Sequence, residues 1–220
     1  MFEAGETTKN IQRVTGYVVP VGNGAVGKSC LAIILRNLER MGSTGEKIAH
    51  VRKSMNMEFE FITDRFQDKD RIFYVTQQLL TPPGQKELEG DTTGRSFEQV
   101  MDIYRFMVRR IDVVLLSYSI TNLDSFQDLE FWVEKIDEYC SDHTHFILVG
   151  THLDEDHHRE VTPQDLEAGR QYIEFFLQEH RPDWYGKCLG VEVSNQSGAN
   201  ISQLKRTISY CILRAQKHIA

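Results

Sequence analysis

The residues with the most chemistry in them are Gly22-Asn23-Gly24-Ala25-Val26-Gly27-Lys28-Ser29. They fit the spacing G-x-x-x-x-G-K-[ST], a loop that cradles phosphate groups. Glycine lets the backbone approach anionic oxygens closely and aim N–H groups at them. Lys28 can reach the terminal phosphates as a point charge, and Ser29 can offer its hydroxyl to Mg²⁺. The alternative is an ordinary Gly-rich turn before a helix. The motif indicates a nucleoside triphosphate and leaves the base, and whether hydrolysis occurs, open.

Such a loop works only between a strand and a helix, and the flanks supply both. Residues 13–21 are mostly apolar, and residues 30–38 have a helical run whose positive dipole end would face the phosphates. The first helix is expected to reach about Met41 and break at residues 42–46. Residues 47–56 form a polar connector. Residues 57–64 alternate apolar and acidic side chains, the period of a half-exposed strand. A turn at 67–70 and a second strand at 71–80 make an antiparallel hairpin. Helical spacing over 96–110 precedes a continuous apolar strand at 113–118. One helix is expected over about 125–139, then a strand at 144–150. A further helix over 163–180 is capped by Thr162 with Pro at its first position. A short strand at 188–193 and a closing helix at 201–217 complete the chain. This alternation predicts an α/β fold: a mostly parallel six-stranded sheet, one antiparallel edge strand, helices on both faces. Residues 1–12 are expected to be a flexible segment and 13–220 a single domain.

Further polar segments fall where such sheets bind ligands, at the carboxyl ends of strands. They are Thr81-Pro82-Pro83-Gly84-Gln85, Thr151-His152-Leu153-Asp154 and Ser194-Asn195-Gln196-Ser197-Gly198. In this order, with the GKS loop in front, they resemble the Ras-like small GTPases (P-loop G domains), and the likeness covers nearly the whole chain. Ser119-Ile120-Thr121-Asn122 with Ser125-Phe126 also resembles Ras and Rab wording. Thr151-His152-Leu153-Asp154 is similar to the variant of Roc-type domains, and Thr81 with Pro83-Gly84-Gln85 to the bacterial MglA-type GTPases, which suggests a prokaryotic branch.

The resemblance implies GTP/GDP as ligand with Mg²⁺, bound by Gly22, Asn23, Gly24, Ala25, Val26, Gly27, Lys28, Ser29 and Cys30, by Gly84, by Thr151, His152 and Asp154, and by Ser194, Asn195 and Gln196. Asp154 would select the base, because its two oxygens can accept from the two N–H groups of guanine and adenine has no such pair; otherwise it is a helix cap. His152, where the family has Lys, could lay its ring against the base. Residues 194–198 either give N–H groups to the base oxygen or form a plain turn. Gly84 would sense the γ-phosphate, and Gln85, with Lys28, would serve hydrolysis by orienting the attacking water. Thr81 stands where the family usually has Asp, so it brings no charge towards Mg²⁺. The connector would hold the first switch, with Ser54 or Thr44 as Mg²⁺ ligand and Ser54 preferred. Arg95 and Arg109 read as solvated helix charges rather than arginine fingers, and Asp156-His157-His158 as a polar surface loop rather than a metal site.

The chain has 220 residues, 40% hydrophobic and 26% charged, enough for one core. A net charge of −7 with no basic cluster argues against nucleic acid. The four cysteines are scattered, as free thiols would be. No apolar run could cross a bilayer, and signal-peptide, myristoylation and prenylation patterns are lacking. A cytoplasmic protein with no direct lipid anchor is therefore expected. Three functions fit: a GTP-hydrolysing switch served by effector, GTPase-activating and nucleotide-exchange proteins; a nucleotide-dependent adaptor that hardly hydrolyses GTP; and an ATP-using enzyme in which Asp154 is incidental.

Overall fold

The computed structural model describes residues 10–44, 58–82, 96–108 and 110–219. Six strands, β1 (Asn10–Val21), β2 (Glu58–Asp68), β3 (Arg71–Thr81), β4 (Val113–Ser119), β5 (His145–Thr151) and β6 (Cys188–Glu192), form one sheet in the order β2-β3-β1-β4-β5-β6. Only β2 runs antiparallel, joined to β3 through Lys69 and Asp70, and it lies at the edge as expected. The other neighbours are parallel, which brings the carboxyl ends of β1, β3, β4, β5 and β6 to one side of the molecule.

Side-chain alternation divides the core in two. Val113 and Leu115 of β4, with Ile147 and Val149 of β5, face α1 (Lys28–Thr44) and α6 (Ile201–Ala215). Val114, Leu116 and Tyr118, with Phe146 and Leu148, face the opposite layer. That layer holds α2 (Phe97–Met107), α3 (Leu123–Gln127), α4 (Leu129–Asp137) and α5 (Pro163–His180). Every residue of β4 and β5 is buried, so both strands read as unbroken apolar runs. Among the described residues, no helix is long and apolar enough to cross a membrane.

Several boundaries differ from the sequence expectation. β1 starts at Asn10 and takes in residues 10–12, because Asn10 to Gln12 pair with Arg71 to Phe73. α1 continues through Gly42 to Thr44; a glycine in the last turn weakens a helix by only about 1 kcal/mol. The segment Asp156-His157-His158 lies in a 3-10 turn, Leu153–His158, and all three residues are exposed. The largest correction concerns residues 125–139, which form two helices meeting at Asp128. Asn122 opens the first, its Oδ1 accepting from the Ser125 N–H at 2.8 Å. Asp128 caps the second without any side-chain bond to that helix.

α5 starts where its local sequence dictates. The Thr162 hydroxyl accepts from the Asp165 N–H, and the Asp165 carboxylate accepts from the Thr162 N–H. This reciprocal cap satisfies two otherwise orphaned donors. Thr162→Ala is expected to cost about 1 kcal/mol and to lower the melting temperature by about 2–4 °C. Differential scanning calorimetry checks this; an unchanged midpoint would show that the cap is not stabilising.

Candidate nucleotide site

The phosphate loop leaves β1 at Gly22 with φ +140°, and a Cβ there would stand 2.1 Å from the Ser117 carbonyl oxygen of β4. Only glycine fits so close a backbone approach. At the far end Gly27 has φ +90°, with Asn195 Nδ2 2.6 Å from where a Cβ would be. Between them Ala25 also takes the left-handed region, at φ 66°. The chain then enters α1 at Lys28, and the positive dipole end of a helix favours an anion there.

Lys28 lies back over its own loop. Its ammonium donates to the Gly22 and Asn23 carbonyls, both at 2.7 Å. It is buried, and desolvation pushes its pKa down to about 7. Asn23 is held in turn: its Nδ2 donates to Asp128 Oδ2 at 2.6 Å, and its Oδ1 accepts from the Trp132 indole N–H at 2.7 Å.

Two further loops are fastened to this one. The Thr151 hydroxyl, at the end of β5, lies 2.8 Å from the Val26 carbonyl and 2.9 Å from that of Tyr118. It has one proton for the two acceptors. Asn195, after β6, donates through Nδ2 to the Gly27 carbonyl at 3.1 Å. His152 turns the chain out of β5 in the left-handed region, at φ 65°, with Nδ1 3.0 Å from both Ser119 Oγ and Thr151 Oγ1. Two residues on, Asp154 is exposed at the surface but anchored, because Ser194 Oγ donates to its Oδ1 at 2.5 Å. Ser194 Oγ itself accepts from the N–H groups of Gln196 and Ser197 at 3.2 and 2.9 Å. The Asp154 carboxylate is thus fixed at one oxygen, leaving Oδ2 without a protein partner among the described residues.

Residues 22–29, 151–154 and 194–196 therefore meet at the carboxyl side of the sheet, as their spacing predicts. Thr81 ends β3 on the same side; it is buried, and its hydroxyl has no hydrogen-bond partner among the described residues. Gly84, Gln85, Ser54, Arg95 and Arg109 lie outside the described residues. Thr44 ends α1. The sequence places Asn23 among the nucleotide-binding residues and gives no sign that Asp128 and Trp132 hold it. No local signal marks this pairing, because the partners lie 105 and 109 positions from Asn23.

A doubly wound sheet with a phosphate loop after its first strand, and a carboxylate-bearing loop fastened beside it, defines a P-loop nucleotide-binding domain. A model of the Ras family matches residues 17–180, and the chain belongs to that family. Human Ras-related protein Rab-12 is 36% identical over 157 residues, which is 71% of this chain and 54% of Rab-12. Rat Ras-related protein Rab-15 is 25% identical over 197 residues, 90% of this chain and 76% of that protein. The chain thus spans about half the length of Rab-12. The Roc-type and MglA-type likeness, and the prokaryotic branch it suggested, gain no support from these relatives.

The lowered pKa of Lys28 gives a pH test. Between about pH 7 and the ordinary lysine value of 10.5, the unfolded chain binds more protons than the folded one. The contribution of Lys28 to stability therefore rises with pH across that window, by at most about 1.4 kcal/mol per unit. In nucleotide-stripped protein, the unfolding free energy relative to Lys28→Met should shift in favour of the wild type from pH 7 to pH 9.5. A constant or opposite difference in urea titrations would contradict this burial.

Proposed function

We propose that this chain is a guanine-nucleotide switch that hydrolyses GTP to GDP and phosphate. The observation that carries the reading is the fastening of Asp154 by Ser194 beside a phosphate loop tied to the same two strand ends through Thr151 and Asn195. The free oxygen of Asp154, and the remaining lone pairs of the other, suit the ring N–H and the exocyclic amine of guanine. Lys28 is charged when it exchanges the Gly22 and Asn23 carbonyls for phosphate oxygens, with the loop N–H groups around it. Ser29 and the Thr81 hydroxyl, which has no hydrogen-bond partner among the described residues, would hold a magnesium ion, and the ion would supply charge neutralisation on the phosphate oxygens. Ser54 would complete that shell from the first switch.

Gln85 orients the attacking water and Gly84 offers its N–H to the γ-phosphate in this reading. Intrinsic turnover is slow, and an arginine supplied by an activating protein would raise it by roughly 10³–10⁵-fold. Exchange factors and effectors would read the two switches, and the site of action would be cytoplasmic. The adaptor and ATP alternatives gain no support from the family or from the relatives.

Gln85→Leu is expected to slow single-turnover phosphate release by about 10-fold or more, a barrier increase of about 1.4 kcal/mol, while GDP affinity stays unchanged. Unaltered release, measured with a phosphate sensor on the full chain, would refute Gln85 as the residue that positions water.

A further inference from the structure

Asp128 sits at the N-cap of α4, where an aspartate ordinarily accepts from the N–H groups of the first turn. It makes no such bond. Its Oδ2 turns instead to Asn23, 105 residues earlier, at 2.6 Å. One turn into α4, Trp132 is 1% exposed, and its indole N–H meets the other end of the same amide at 2.7 Å. The indole is gripped edge-on by Phe97, the first residue of α2, with centroids 5.5 Å apart, and by Phe131 at 5.3 Å. The backbone carbonyl of Asn23 is one of the two that hold the Lys28 ammonium.

We propose that Asp128 and Trp132 are positioning residues that clamp the Asn23 amide, and so fix the phosphate-loop carbonyl on which Lys28 rests, tying nucleotide retention to the packing of α2 against α4. The side-chain types fit this role. An amide presents a donor and an acceptor at once, so among the residues of its size asparagine alone serves a carboxylate and an indole N–H together. An aspartate at 23 would set two carboxylates at hydrogen-bond distance; an alanine would leave a buried indole N–H unpaired. Phe97 begins the helix that follows residues 83–95, so movement of α2 would be felt at the indole and, through it, at Asn23.

The inference rests on the nucleotide reading above, and the test separates the two. Release of fluorescent GDP is measured by chase on the full chain for wild type, Asn23→Asp, Asp128→Asn, the double variant and Trp132→Phe, and displacement of bound pyrophosphate is measured in parallel. Asn23→Asp should release about ten times faster than wild type. Adding Asp128→Asn restores a donor–acceptor pair in reverse, and should return release to within about twofold; a role in packing alone predicts no such rescue. Trp132→Phe keeps the ring against Phe97 and loses only the N–H, and should also release several-fold faster. Equal release across the series, or a double variant no better than Asn23→Asp, would overturn the clamp and leave the guanine reading standing. The expected ranking seen with pyrophosphate but without GDP binding would support the clamp and overturn the guanine reading. Binding of neither by the wild type would overturn both.

Discussion

The hydroxyl of Thr151 ends a fully buried central strand and points at the Val26 carbonyl within the phosphate loop. Its alternative acceptor is the Tyr118 carbonyl of the neighbouring strand. Through this one atom the loop after β1 is registered against the ends of β4 and β5. The register is fixed upstream, since Val113 to Ser119 of β4 pair residue for residue with His145 to Thr151. Loops are usually the least constrained parts of a fold. Here the loops after β1 and β5 are held to one another by the sheet itself, and Asn195 supplies a second fastening from β6.

The same constraint holds an unusual residue set in place. A threonine and a histidine stand at positions 151 and 152, where the family resemblance has asparagine and lysine. The threonine still reaches the loop carbonyl, and the histidine joins a hydroxyl pair with Ser119 rather than standing free. Asp154 keeps its geometry through Ser194, whose oxygen is itself fixed by two backbone N–H groups. A carboxylate whose hydrogen bonds are already arranged loses less freedom when a ligand arrives.

The parts of this structure legible in the sequence are those set by near neighbours. The cap of α5 is written in Thr162, Pro163 and Asp165, and the apolar runs of β4 and β5 announce central strands. The phosphate loop is legible because its glycines, Lys28 and Ser29 stand at a fixed spacing within one short segment. The break at Asp128 was not legible: the apolar positions Leu129, Trp132, Val133 and Ile136 keep helical spacing, and the partner of the Asp128 carboxylate lies 105 residues away. The same holds for Asn195 and Gly27, separated by 168 positions. Periodicity sees which face is buried; it cannot see which polar atoms meet across the sheet.

One guanine nucleotide is proposed to span Lys28 and Asp154. Calorimetric titration of GDP and of ADP into the full chain, in magnesium-containing buffer, tests it most directly. GDP is expected to bind at least about tenfold more tightly than ADP, the factor that about 1.4 kcal/mol provides, and Asp154→Ala to remove the preference. Equal affinity for the two, or no heat with GDP, would contradict it.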